Sequence, residues 1–186
     1  MFDLSEKAML VSLSIGAWSG RKLDKEVTDH VQAEYQAEAD AGKYNKQLVP
    51  KSALDPVAKA ITRAREYHRS QTLPWRDGGV RLLPSAHYME YTSKIRQIFD
   101  DIDQEAEKFL AQYPQLVDDA RYRLNGMFRA SDYPTVESIR KRFYREIQVE
   151  PLPMAGDFRV DLSAEEVKTI QAEIEARTQA KVQEAM

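Results

Sequence analysis

The sequence has no cysteine, which excludes disulfides, thiolate zinc sites, iron–sulfur clusters and cysteine nucleophiles together. Histidine is nearly as scarce. His30, His68 and His87 lie far apart with no helical pair among them, so no zinc-hydrolase arrangement exists. The seven glycines stand singly except for Gly78 and Gly79, so neither common phosphate-loop pattern is present and a nucleotide-hydrolysing site is not expected. No serine sits in a nucleophile-elbow context. No apolar run is long enough to span a membrane, and the opening Met1 to Glu6 is acidic with no basic region ahead of an apolar run. The expectations are a chain of the (bacterial host) cytoplasm, no membrane contact, no cofactor, no metal site and no catalytic residue.

What is present suits one domain over residues 1–186: 42% hydrophobic and 31% charged residues, with a mean hydropathy of -0.59 that leans towards long charged helices. The net charge of -3 conceals blocks. Residues 1–42 carry -4, 43–96 carry +7, 97–120 carry -6, 121–145 carry +5 and 146–186 carry -5. Two basic stretches inside an acidic protein are what one anion-binding face would require, because phosphate binding follows local field rather than isoelectric point. Neutralisation between neighbouring antiparallel helices explains the same blocks equally well.

Met9, Val11, Leu13, Ile15 and Ala17 alternate with Ser12, Ser14 and Gly16, the period of a half-buried strand over 9–17. Residues 24–41 read as a helix stopped by Gly42, and 43–54 as a basic loop. Asp55 then caps a helix, with Pro56 at its first position and Val57, Ile61 and Ala64 on one face. Val80 to Leu83 is a short strand. From 86 to 113 the apolar residues Tyr88, Tyr91, Ile95, Ile98, Ile102, Ala106, Phe109 and Tyr113 recur at three and four, a helix that Pro114 is expected to break or kink. A return helix through Leu116, Ala120 and Leu124 would complete an antiparallel hairpin over about 86–125. Thr135 opens a short helix carrying Ile139. Strands are expected over 145–150 and 157–162, and Ser163 with Glu166 makes a capping box for a C-terminal helix that loses apolar residues, and so its packing, after Ile174. The fold class expected is α+β: a small antiparallel sheet with a protruding helical hairpin and a C-terminal helix.

Asp100, Asp101, Asp103, Glu105 and Glu107 have the composition of a nuclease cation site, but on a helix they read as a solvated face. His68 reads as a helix-end or surface residue and His87 as structural. Tyr122, Phe128 and Phe143 read as core. The remaining constellation mixes cations with rings: Trp18, Arg21, Lys22, Lys43, Lys46, Arg63, Arg69, Trp75, Arg76, Arg81, Arg140, Arg142 and Arg145. Arginine neutralises phosphate and exposed rings stack on unpaired bases, so the mixture suits a single strand over a duplex, with Trp18 and Trp75 as the exposed rings.

The run Leu10 to Ile15 leading into Trp18, Ser19, Gly20, Arg21, Lys22 and Leu23 resembles the opening of a phage- and plasmid-borne bacterial family known only as a domain of unknown function. The resemblance continues through Leu54-Asp55-Pro56, Gly79 to Pro84, the helical hairpin and Arg142 to Val149. It implies mobile-element biology, with members encoded beside ring-forming ATPases and von Willebrand-type proteins, and it offers no catalytic residues. Two non-enzymatic roles follow. One is an oligomeric nucleic-acid-binding accessory of phage or mobile-element DNA metabolism. The other is an adaptor that docks a protein partner, a ring ATPase or a second copy through Tyr91, Ile95, Ile98 and Ile102 or through the acidic face from Asp100 to Glu107, with a metal-dependent nuclease a distant third.

Overall fold

The computed structural model describes residues 6–153 and 164–185. Within them the elements run β1 (Ala8–Gly16), β2 (Arg21–Leu23), α1 (Lys25–Tyr35), β3 (Asn45–Gln47), α2 (Lys51–Ser70), β4 (Leu73–Pro74), β5 (Val80–Pro84), α3 (Tyr88–Leu124), α4 (Val136–Arg140), β6 (Tyr144–Glu150) and α5 (Ala164–Ala185). The class is α+β. The expected strand at 157–162 and the cap at Ser163 lie outside the described residues.

The chain gathers into two compact units, each made of discontinuous segments. The first comprises residues 1–15, 61–100 and 145–186. It holds the four-stranded sheet, in the order β4-β5-β1-β6. β1 runs antiparallel to β5 with Leu10 opposite Leu82 and Met9 opposite Leu83, and β4 runs antiparallel to β5. Ala8, Leu10 and Leu82 share one buried cluster with Leu152 and with Val182 of α5, and Trp75 and Val80 pack against it. Val11 and Leu83, which strand alternation points to the other face, are buried as well. The first half of β1 is therefore covered on both faces, which the simple alternation of 9–17 did not anticipate. The end of α5 is also better held than its composition suggests. Thr178 and Val182 are buried, and Lys181 donates to the Pro74 carbonyl at 3.2 Å and to the Trp75 carbonyl.

The second unit comprises residues 16–60 and 101–144. β2 and β3 pair antiparallel, and the buried residues include Trp18, Leu48, Val49, Val57, Phe109, Leu110, Tyr113 and Ile139. Trp18 lies 5.8 Å from the Phe109 ring and meets the Tyr113 ring edge-on at 5.6 Å. Gly20 shapes the turn into β2 at φ +66, and its carbonyl accepts from the Leu48 amide at 2.8 Å. A Cβ there would meet Leu54 Cδ1 at 2.8 Å and Val49 Cγ2 at 3.0 Å. Gly20→Ala combines left-handed strain with these contacts and is expected to lower stability by about 1–2 kcal/mol, read as a shifted urea midpoint at constant slope.

Three helix boundaries depart from the sequence reading. α1 ends at Tyr35, because Gln36 takes the left-handed conformation (φ 51) that closes the helix, and Gly42 plays no part in the stop. α2 starts at Lys51, so Pro56 lies inside it rather than at its first position. The helical bond that Pro56 forgoes would end on the carbonyl of Ser52, an exposed residue in the first turn of the helix. The expected hairpin is one continuous helix: α3 runs 37 residues through Pro114. Apolar burial on both sides explains this, since Phe109, Leu110 and Tyr113 precede the proline, Ala120 and Leu124 follow it, and all five are buried. Packing of that face outweighs one missing helical hydrogen bond.

Candidate functional site

The expected partner seam is not available for docking. Tyr91 and Ile95 are fully buried, and Ile98 and Ile102 nearly so, which makes them the inward face of α3. The thirteen residues of the cation and ring constellation divide between the two units. In the first unit Arg63 and Arg69 are exposed, and Trp75 is half-buried under the Lys181 ammonium at 5.4 Å. Arg76 reaches Glu150 at 3.9 Å. Arg81 donates to Thr72 Oγ1 and to the Thr72 carbonyl, each at 2.6 Å, and Arg145 lies over the Phe99 ring at 5.8 Å. In the second unit Trp18 is core rather than an exposed ring, buried in a three-ring cluster with Phe109 and Tyr113. Arg140 pairs with Glu107 and reaches Glu137 at 3.6 Å, while Arg21, Lys43 and Arg142 are exposed. Glu105 pairs with Lys108 at 2.7 Å, and among the described residues no group of three or more acids or histidines could hold a metal ion. Tyr122, read as core, is 83% exposed, and Phe128 and Phe143 are only half-buried.

Lys46 is the largest departure. Its position at the centre of β3 turns it inward, and it is 2% exposed. Its ammonium donates to Asp24 Oδ2 at 2.7 Å, Asp132 Oδ2 at 2.6 Å and the Met127 carbonyl at 2.9 Å. Lys22 stands directly opposite it across the β2-β3 pair, a juxtaposition of like charges that would repel. Asp132 resolves this by offering its other oxygen, Oδ1, to Lys22 at 2.7 Å. Asp24 has a second task as the N-cap of α1, accepting from the Val27 amide at 3.2 Å. Hydrogen bonding to Lys46 holds the Asp24 carboxyl below its ordinary range. For Asp132 burial pushes the other way, but Lys22 and Lys46 prevail and the carboxyl is also lowered. Burial opposes the Lys46 charge and the two carboxylates overcome it, leaving its pKa raised. All three polar positions of the ammonium are satisfied, so the cluster joins the β2-β3 pair, the start of α1 and the 130–132 turn. It borders a cleft of about 520 Å³ that Lys25, Glu26 and Arg129 also line, where Glu26 and Arg129 pair with each other. The sequence reading singled out neither carboxylate, and nothing local marks Asp132 or the burial of Lys46.

The other feature of this unit is a helix without a buried residue. α1 has none, and Thr28, Val31, Gln32 and Tyr35 fall on one face at helical spacing. Val31 is 45% exposed, Tyr35 78%, and Tyr44 in the following loop 39%. The loop is fastened to the helix by polar bonds. Gln32 Nε2 donates to the Ala39 carbonyl at 3.0 Å and the Gly42 carbonyl at 3.1 Å, and the Tyr44 amide donates to Thr28 Oγ1 at 3.0 Å. Between helix and loop lies a mainly apolar groove of about 290 Å³. Sequence reasoning passed over it because an exposed Val–Tyr pair on a helix carries the same periodic signal as a buried one.

In the first unit His68 is buried at 5% exposure, not at the surface, and its Nδ1 lies 2.7 Å from the Tyr91 hydroxyl. Its Nε2 has no hydrogen-bond partner among the described residues. Burial, then the positive Arg81 and Arg69, push its pKa down to about 4. Tyr67 stacks on Tyr91 with ring centroids 5.9 Å apart.

Comparison with known proteins adds one relation. A family model described as "Protein of unknown function (DUF3150)" matches residues 5–186. No curated protein and no solved structure matches the chain.

Proposed function

Because the chain belongs to this DUF3150 family, whose description states no activity, its own surfaces must supply the reading, and we propose that it is a non-enzymatic adaptor that docks another protein on the α1 face. The observation that carries this is the absence of any buried residue on α1, together with the exposure of Val31, Tyr35 and Tyr44 along a groove already fastened in shape. Aromatic rings beside a preformed apolar depression are the anatomy of an interface core, since little ordering remains to be done on binding. A helix of this length would gain little in water from propensity alone. The second reading, a nucleic-acid-binding accessory, has weaker support, because many of its cations are engaged within the fold. Lys46 and Lys22 meet carboxylates, Arg140 meets Glu107, and Arg81 is spent on Thr72.

The test pairs wild type with the Val31→Gln, Tyr35→Gln double variant, which alters exposed positions and keeps helix propensity. Affinity capture from the native host after nuclease treatment is expected to recover a stoichiometric protein with wild type and to lose it with the variant. Capture unaffected by the variant overturns the proposal. So does tight, salt-dependent binding of a labelled single-stranded oligonucleotide by both proteins with no protein recovered, which would establish the second reading instead.

A further inference from the structure

Lys43 is the one charged residue that lines the α1 groove, and no carboxylate lines it. Val31, Ala37, Ala41 and Gly42 make much of the lining apolar. Two of its polar side chains are already engaged within the fold. Gln32 gives its amide hydrogens to the Ala39 and Gly42 carbonyls, and the Thr28 hydroxyl donates to the Asp24 carbonyl at 2.7 Å while accepting from the Tyr44 amide. The Lys43 ammonium and the Tyr35 and Tyr44 hydroxyls have no hydrogen bond or ion pair among the described residues. A cation left in solvent beside an apolar surface gains from an approaching anion without first breaking an internal pair. The match is confined to one point. Glu38 and Asp40 are exposed in the same loop and lie outside the lining, so a long run of negative charge laid across this surface would be repelled.

From this lining we infer that the occupant of the groove is a short segment of a protein partner in which a single aspartate or glutamate stands next to a large apolar side chain. The apolar side chain enters between Val31, Tyr35 and Tyr44, and the carboxylate pairs with Lys43 and accepts from a tyrosine hydroxyl. The inference rests on the docking proposal above and names the chemistry of the segment that docks. At about 290 Å³ the groove is at the lower end of the roughly 300–1,000 Å³ of ligand sites, which suits one anchoring side chain. The anchor supplies most of the affinity by leaving water. Lys43 supplies the choice of sign, worth up to about fivefold for an exposed ion pair.

The experiment titrates the isotope-labelled full chain with four blocked tetrapeptides and follows amide resonances by nuclear magnetic resonance, at peptide concentrations up to about 10 mM so that weak binding registers. The first peptide is acetyl-Gly-Phe-Asp-Gly-amide. The second carries asparagine and the third lysine in place of the aspartate, and the fourth carries glycine in place of the phenylalanine. The Phe-Asp peptide is expected to move the amides of Val31, Tyr35, Lys43 and Tyr44, and to bind about threefold to fivefold more tightly than the asparagine peptide, by a margin that narrows as salt rises. The lysine peptide should bind more weakly still. Lys43→Gln should bring the Phe-Asp peptide down to the level of the asparagine peptide, and Val31→Gln with Tyr35→Gln should abolish binding of both. If the asparagine or lysine peptide binds as well as the Phe-Asp peptide, or Lys43→Gln leaves the preference intact, while the Val31, Tyr35 variant still loses binding, the charge inference is overturned and docking at α1 stands. If the peptide without phenylalanine matches the Phe-Asp peptide, the contact is charge alone and the groove is not its site. If no peptide moves these resonances, the inference is overturned, and docking at α1 is left to the capture experiment above. Spectra of the free variants, expected to match wild type away from the groove, separate lost binding from lost folding.

Discussion

Lys46→Met is expected to destabilise the protein by about 3–5 kcal/mol, the range for removing one member of a buried ion cluster and leaving the opposite charges in place. The methionine fills much of the lysine's volume, so the loss is electrostatic rather than a cavity. Asp24 would keep its bond from the Val27 amide and Asp132 its bond from Lys22. Each would nevertheless hold a carboxylate, less than one-tenth exposed, without the ammonium that now sits 2.6–2.7 Å away. A urea titration at neutral pH measures the difference. Adding Asp132→Asn to Lys46→Met should recover part of the loss, because an amide in that place carries no charge to strand; the coupling between the two changes is the signature of the cluster. A loss below about 1 kcal/mol for Lys46→Met, or strict additivity of the pair, would mean that the cluster contributes no more than a surface bridge. The same pairs set a pH limit. Both carboxyls are lowered in the folded protein, so their contribution is complete above the ordinary carboxylate value near 3.8 and is lost as pH falls through the lower folded values.

Acid should weaken the protein well before that limit, through His68. Its folded pKa is about 4 against 6.5 in an unfolded chain. Between those values the unfolded chain binds a proton that the native protein does not, so stability rises with pH across this window and falls on acidification. At about 1.4 kcal/mol per unit the whole window amounts to about 3 kcal/mol. The groups around the imidazole account for the direction: Tyr91 and Tyr67 are neutral rings with raised pKa values, Arg81 and Arg69 are positive, and no carboxylate contributes to the shift. Urea midpoints at pH 7 and pH 4.5 should therefore differ markedly for wild type, and His68→Leu should remove most of the difference. A wild-type midpoint unchanged over that interval, or an equal slope in His68→Leu, would show that the imidazole protonates in the native state without penalty. The carboxylate cluster acts only below this window, so the two effects separate on the pH axis.

The helices and strands that periodicity marks strongly were legible in the sequence. Tyr91, Ile95, Ile98, Ile102, Ala106, Phe109 and Tyr113 are all buried, as their spacing requires, and so are Val57, Ile61 and Ala64 of α2. Thr135 caps α4, with its Oγ1 accepting from the Ser138 amide at 3.2 Å. What misled was punctuation read by local rule. Pro114 carries a strong expectation of a break, and α3 overrides it because its apolar face continues beyond the proline. The short spans β2 and β3 have too few residues to show any period at all.

The sequence by itself determined the α+β class, the helix faces and the exclusion of cysteine chemistry, because those follow from composition and from regularities between near neighbours. Tertiary structure alone decided that Lys46 lies between Asp24 and Asp132, that His68 faces Tyr91 inside a core, and that α1 buries none of its residues. The physical reason is common to all three. Whether a polar group is buried or an apolar one exposed depends on what residues 20 to 90 positions away bring to it, and no local period records that.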